Sequence, residues 1–299
     1  MADLPELFPG FETRMVEGEG ATLHVRIGGE GMPLVLVHGY PECGVMWHKL
    51  ASELSRHFTC IIPDLRGYGQ SSVPKSEKGL AYSKRAMGND IAAMMTRLGH
   101  QTFALAGHDR GARVAYRLGL DHPDRLSRLA VLDILPTYDY WRQMNLEYGL
   151  KMYHWLFLAQ PTPLPENLIA RASTFYLEHT LASWTANGNL SAFDKRALEH
   201  YRAFFSDPER IHAACEDYRA GAGIDMDIDT ADRAAGKTID VPLLVLWGGR
   251  GLSPDKNPLD VWRDWATAVE GQAVDGGHFL PEENPEATTA ALISFFKQS

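Results

Sequence analysis

The chain has 299 residues, and its 29 Lys+Arg against 38 Asp+Glu leave a formal net charge of −9. Such an acidic chain, with no Lys/Arg cluster, offers no basic face to a phosphate backbone, which excludes nucleic acid as the expected partner. With 45% hydrophobic residues, no apolar run near the roughly 18 of a membrane span, no basic-then-apolar leader, and Cys43, Cys60 and Cys215 outside any CxxC pair, the chain is expected to be a cytoplasmic enzyme without membrane association, disulfide framework or thiolate metal site.

Short apolar runs ending in turn residues recur along the chain. Leu34–Val37 runs into His38-Gly39, Cys60–Ile62 into Pro63-Asp64, Phe103–Ala106 into Gly107, Leu129–Leu132 into Asp133, and Leu243–Leu246 into Trp247-Gly248. Runs this short and apolar on both faces predict buried strands of a parallel sheet. Helical spacing lies between them at Trp47 to Ser55, Ala86 to Leu98 and Arg110 to Leu120, and again at Pro285 to Phe296. Strand and helix in alternation predict a mostly parallel, doubly wound α/β sheet. From about Pro136 to Lys237 no buried strand is visible, only helix-like segments rich in Tyr, Trp, Arg and His. A core of residues 1–135 and 240–299 with an inserted helical cap over 136–239 is therefore expected. Gly221 to Asp232, with two glycines and four aspartates, reads as an irregular return segment.

The chemistry concentrates at Ala106-Gly107-His108-Asp109-Arg110-Gly111-Ala112-Arg113. An apolar strand, Gly-x-Asp-x-Gly and a helix make the layout of a nucleophile elbow, with Asp109 where an esterase has serine. The glycines permit the sharp turn, and the helix N-terminus places N–H groups beneath the side chain. A carboxylate needs no base to attack, but the ester it forms must be hydrolysed, and that step needs a base for water. The blander reading of Asp109 is a helix N-cap. His278 follows a strand and Gly276-Gly277 just before the last helix, which suits the base. Gly251 stands where the orienting acid would follow the penultimate strand, so the acid is assigned to Asp133, at the end of another strand on the same rim, with Asp255 as the fallback.

These residues resemble the fluoroacetate dehalogenase family of the α/β-hydrolase superfamily. His38-Gly39-Tyr40-Pro41-Glu42 and Asp64-Leu65-Arg66-Gly67-Tyr68-Gly69-Gln70-Ser71 match the superfamily, while Arg directly after the nucleophile, where related epoxide hydrolases and haloalkane dehalogenases usually carry Trp, matches the narrower family. The resemblance implies the α/β-hydrolase fold, hydrolysis of haloacetates such as fluoroacetate and chloroacetate, a homodimer, and neither metal nor organic cofactor. It places Asp133 as the acid and His154, Trp155 and Tyr218 as the halide-holding trio. Trp184 corresponds to a cap tryptophan near the entrance, or is core. Tyr40 stands where relatives often have Phe; its N–H and that of Arg110 would form the oxyanion hole.

Electrostatics gives the arginines a task. An anionic haloacid must approach an anionic nucleophile, and Arg110 and Arg113, one turn apart, can hold the substrate carboxylate by charge-assisted bonds. Either could instead pair with a structural acid. Fluoride leaves poorly without donors, which the trio would supply. An epoxide hydrolase shares the Asp/His pair but uses acidic cap tyrosines (Tyr148, Tyr153 and Tyr176 are candidates for a second beside Tyr218) and gives the arginines no work. A haloalkane dehalogenase fails likewise, and a catalytically dead binding protein would have a broken triad.

Overall fold

Each of those apolar runs forms a strand in the computed structural model, which describes residues 4–250 and 257–298. The strands are β1 (Glu12–Glu17), β2 (Thr22–Gly28), β3 (Met32–Val37), β4 (Phe58–Pro63), β5 (Phe103–His108), β6 (Leu126–Leu132), β7 (Leu243–Gly248) and β8 (Val269–Val274). They make one 8-stranded sheet ordered β1-β2-β4-β3-β5-β6-β7-β8. β2 pairs antiparallel with both β1 and β4, and every other pairing is parallel. This is the α/β-hydrolase fold. The centre of the sheet, β3 and β5, is covered on both faces, which is why Leu34–Val37 and Phe103–Ala106 are fully buried.

The helices of the sheet half are α1 (His48–Leu54), α2 (Lys84–Arg97) and α3 (Asp109–Asp121). Between β6 and β7 the chain leaves the sheet for α4 (Thr137–Arg142), α5 (Leu146–Lys151), α6 (Tyr153–Leu158), α7 (Leu164–Ala170), α8 (Ser173–Trp184), α9 (Lys195–Phe205), α10 (Pro208–Ala222) and α11 (Ile224–Ala234). It then returns through α12 (Pro258–Trp262), α13 (Leu280–Glu283) and α14 (Pro285–Phe296). No helix among the described residues is long and apolar enough to cross a membrane.

Gly221 to Asp232 is not irregular: α10 continues to Ala222, and α11 begins at Ile224. Asp225 and Asp229 face inward from this helix because they have partners. Asp225 accepts from the Lys84 N–H, and Asp229, one turn on, accepts from the Tyr116 hydroxyl at 2.7 Å and lies 3.5 Å from Arg117. Acids in the first turn also complement the helix dipole. Partners of the same kind bury helix α3. It is buried from Asp109 to Leu120, polar face included, because α10 and α11 supply acids for Arg110 and Arg117, and Arg113 donates to the Leu135 carbonyl and the Thr137 hydroxyl.

Candidate active site

The turn from β5 into α3 closes only with glycine at both flanks. A Cβ on Gly107 would lie 2.5 Å from the Gly111 carbonyl oxygen, and one on Gly111 would lie 2.2 Å from that of His38. Asp109 itself sits at φ 45°, a left-handed conformation that costs of order 1–3 kcal/mol for a residue with a side chain. The strain turns its carboxylate out of the sheet edge, where Oδ2 accepts the Tyr40 N–H at 3.1 Å. Arg110, next along α3, brings its own N–H to the same helix end.

Two further rim loops converge there. Asp133 follows β6 at φ 55°; its Oδ1 accepts the Gly248 N–H at 2.8 Å, and its Oδ2 takes the Nδ1–H of His278 at 2.5 Å. Nδ1 thereby carries the proton, leaving Nε2 as the lone pair, with no hydrogen-bond partner. The His278 backbone is pinned on both sides: its N–H donates to the Trp184 carbonyl at 2.9 Å, and its carbonyl accepts from His108 Nε2 at 2.8 Å. Asp109, Asp133 and His278 thus meet at one point, while Asp255 lies outside the described residues.

A cavity of about 260 Å³ opens over this point, and Asp109, Arg113, Asp133, His154, Trp155 and His278 all line it. Arg113, 1% exposed, donates from Nη1 to the Leu135 carbonyl at 3.0 Å and to the Thr137 hydroxyl at 3.1 Å, and its Nε has no partner. Arg110 and Tyr218 stand one layer back. The Arg110 guanidinium lies 4.3 Å over the Tyr218 ring and 5.0 Å over Trp155, and two of its nitrogens are engaged by Asp217. The arginines therefore do not present two free forks: Asp217 leaves Arg110 only Nη1, whereas Arg113 is held through Nη1 alone and its buried Nε has no partner.

His154, Trp155 and Tyr218 come together edge to face, with ring centroids 5.7 Å apart for His154–Tyr218 and 5.5 Å for Trp155–Tyr218. His154 Nδ1 and Tyr218 Oη, both buried, have no hydrogen-bond partner. Unpartnered buried atoms on His154, Tyr218, His278, Arg110 and Arg113 gather at the Asp109 end of the cavity, where a polar ligand would satisfy them. Trp184 belongs to the site as well: it lines the cavity and packs 4.3 Å from His154 and 5.3 Å from His278.

Charge follows from these contacts. Burial pushes the Asp109 carboxyl up, but His278, His108, Arg110 and Arg113 outweigh it and hold it below its ordinary value, so it is ionised near neutrality. Burial opposes the charge on His278 too, yet Asp133, through a hydrogen bond and its charge, and then Asp109 raise it above an ordinary imidazole. His154 is driven by burial to about 3 and is a neutral N–H donor. Sequence reasoning missed Asp217, Thr137 and Tyr140, which stacks on Trp155 at 4.3 Å. A buried arginine implies an acid, but nothing in the chain's order says which.

The family model of the alpha/beta hydrolase fold matches residues 32–285. Fluoroacetate dehalogenase of a Burkholderia species is 40% identical over 98% of this chain and 96% of its own length. Soluble epoxide hydrolase of Corynebacterium sp. strain C12 is 30% identical over 93% and 94%. Among solved structures, an alpha/beta hydrolase from Nostoc sp PCC 7120 superposes with a TM-score of 0.93 at 46% identity, covering 97% of this chain and 99% of that one. The chain is a hydrolase of the α/β-hydrolase superfamily and belongs, within it, to the fluoroacetate dehalogenase family.

Proposed function

We propose that the protein is a haloacetate dehalogenase that converts fluoroacetate or chloroacetate to glycolate and halide, with residues 136–239 serving as a cap over a core of 1–135 and 240–299. The observation that carries this reading is the pair of buried arginines beside the nucleophile, each with a nitrogen left over. An unpaired buried donor costs about 1–3 kcal/mol; a substrate carboxylate has two anionic oxygens to satisfy both arginines by charge-assisted bonds, whereas a neutral epoxide has a single uncharged oxygen.

In the first step Asp109 attacks the α-carbon opposite the carbon–halogen bond. A C–O bond forms as the C–X bond breaks, and halide leaves with the electron pair toward the N–H and O–H donors of His154, Trp155 and Tyr218. Arg113 from the cavity wall and Arg110 from behind it hold the carboxylate and offset its repulsion from Asp109. A glycolyl ester of Asp109 results, and a chiral acid would be inverted.

In the second step His278 Nε2 takes a proton from water, and the hydroxide adds to the Asp109 carbonyl. The oxyanion sits where Oδ2 meets the Tyr40 N–H, with the Arg110 N–H as the second donor. Collapse breaks the bond to the glycolate oxygen, which takes the proton from His278. The added hydroxyl leaves Asp109 as its acid, whose proton passes to His278 and on to solvent, so one proton is released with each halide and the Asp109 carboxylate is regenerated. Ester formation abolishes the Asp109 charge, one of the contributions that raise His278, so the base gives up its proton more readily when it must act.

Purified protein given fluoroacetate, chloroacetate and styrene oxide in parallel tests the assignment. Halide from the acids, abolished in Asp109→Asn, is expected. Diol from styrene oxide without halide from the acids would make the enzyme an epoxide hydrolase.

A further inference from the structure

The Arg110 guanidinium is clamped. Its Nε and Nη2 donate to Asp217 Oδ1 at 3.1 and 2.6 Å, and Nη2 also reaches the Asp217 carbonyl at 2.6 Å. Asp217 in turn pairs with Lys84 Nζ and accepts the Tyr68 hydroxyl at 2.8 Å. Lys84, 1% exposed, lies 3.6 Å from Asp225, which also accepts its backbone N–H at 2.8 Å. Two cations from α2 and α3 of the sheet half thus face two carboxylates from α10 and α11, a buried set tolerable only because its charges balance. Gly221 lets α10 settle this closely: a Cβ there would stand 3.1 Å from Arg110 Nη2. The two-step reaction gives Lys84, Asp217 and Tyr68 no chemical work.

We propose that Asp217 is a positioning residue that acts through Arg110 and Tyr218, with Lys84 as the counter-charge that keeps it ionised. Asp217 holds the guanidinium back from Asp109, so the nucleophile stays unpaired and Nη1 stays open for the substrate carboxylate. By tying α10 to α3 it also sets its neighbour Tyr218 against the leaving group. Without the acid, the carboxylate nearest to hand for Arg110 is Asp109, and pairing there would blunt the nucleophile and close the carboxylate subsite. This inference rests on the haloacid reading and specifies how the site selects an anion.

Three variants test it: Asp217→Asn, Lys84→Met and the two combined, each assayed for kcat and KM on chloroacetate and fluoroacetate and for melting temperature. Asp217→Asn is expected to raise KM roughly 10- to 100-fold, the effect of losing a hydrogen bond to a charged group, and to lower kcat. Both single variants leave a net buried charge and melt lower; the double variant restores balance and recovers the melting temperature but keeps the raised KM. An unchanged KM in Asp217→Asn, or a double variant that recovers KM together with stability, overturns the proposal and reduces the cluster to charge balance. A wild type that releases no halide from either acid removes the haloacid reading and this inference with it. An active wild type with an indifferent Asp217→Asn removes the inference alone.

Discussion

Replacing Tyr218 by Phe separates stability from fluoride expulsion. The hydroxyl is buried with the residue 1% exposed and has no hydrogen-bond partner, so its removal orphans nothing. The ring's contacts are those a phenyl also makes: edge to face with Tyr40 at 5.1 Å, Trp155 at 5.5 Å and His154 at 5.7 Å, and beneath the Arg110 guanidinium at 4.3 Å. A buried unpaired hydroxyl costs about 1–3 kcal/mol, so Tyr218→Phe should fold at least as stably as the parent, with a gain of about 1 kcal/mol. Catalysis should move the other way. A donor to a developing fluoride is charge-assisted and contributes about 1.5–3 kcal/mol, or roughly 10- to 150-fold in rate. Chloride leaves with less help, so chloroacetate should lose less than about tenfold. Denaturant melts and initial rates by halide-selective electrode check both halves. A destabilised variant, or equal losses on the two substrates, would refute the role given to the hydroxyl.

Arg113→Met should raise KM for chloroacetate roughly 10- to 100-fold while leaving the neutral chloroacetamide little affected, which parallel kinetics on the two compounds would check. His278→Asn should release one halide per enzyme and stop, with the glycolyl ester on Asp109 visible as a mass increase of the intact protein; no burst and no adduct would contradict its role. The pH profile carries a sign. The base must be neutral to act, so ester hydrolysis should fail as pH drops through the His278 value, which Asp133 raises and which the loss of the Asp109 charge in the ester lowers relative to the free enzyme. Asp133→Asn removes the chief raising influences and should shift that acid limb to lower pH while slowing hydrolysis, as read from single-turnover rates across pH.

The parts of the molecule legible in the sequence share one property: their signal is local. β3, β5 and β7 are buried on both faces and so appear as unbroken apolar runs, and the Gly107/Gly111 pair announces its turn. β1 and β8 lie at the sheet edges and are largely exposed, and β2 buries His24 and Arg26 among its apolar residues, so none reads as a buried run. Asp229 looks like loop chemistry until its distant partners on α3 are known. In the site, Asp109, His278 and Asp133 sit where turns place them. The Asp217 clamp on Arg110 joins positions 107 residues apart and leaves no trace in either neighbourhood. The same clamp leaves Arg110 a single nitrogen behind the cavity while Arg113 lines its wall, a distinction that one-turn spacing on a helix does not contain.

The account stands on Asp109 as the atom donor to the α-carbon. A single turnover of excess enzyme with chloroacetate in water labelled with heavy oxygen tests that most directly. Attack by Asp109 predicts that the first glycolate carries unlabelled oxygen at its hydroxyl and that the label appears in the Asp109 carboxylate. Label in the hydroxyl of that first glycolate, with none in Asp109, would mean that water displaces the halide directly, and the covalent route would be wrong.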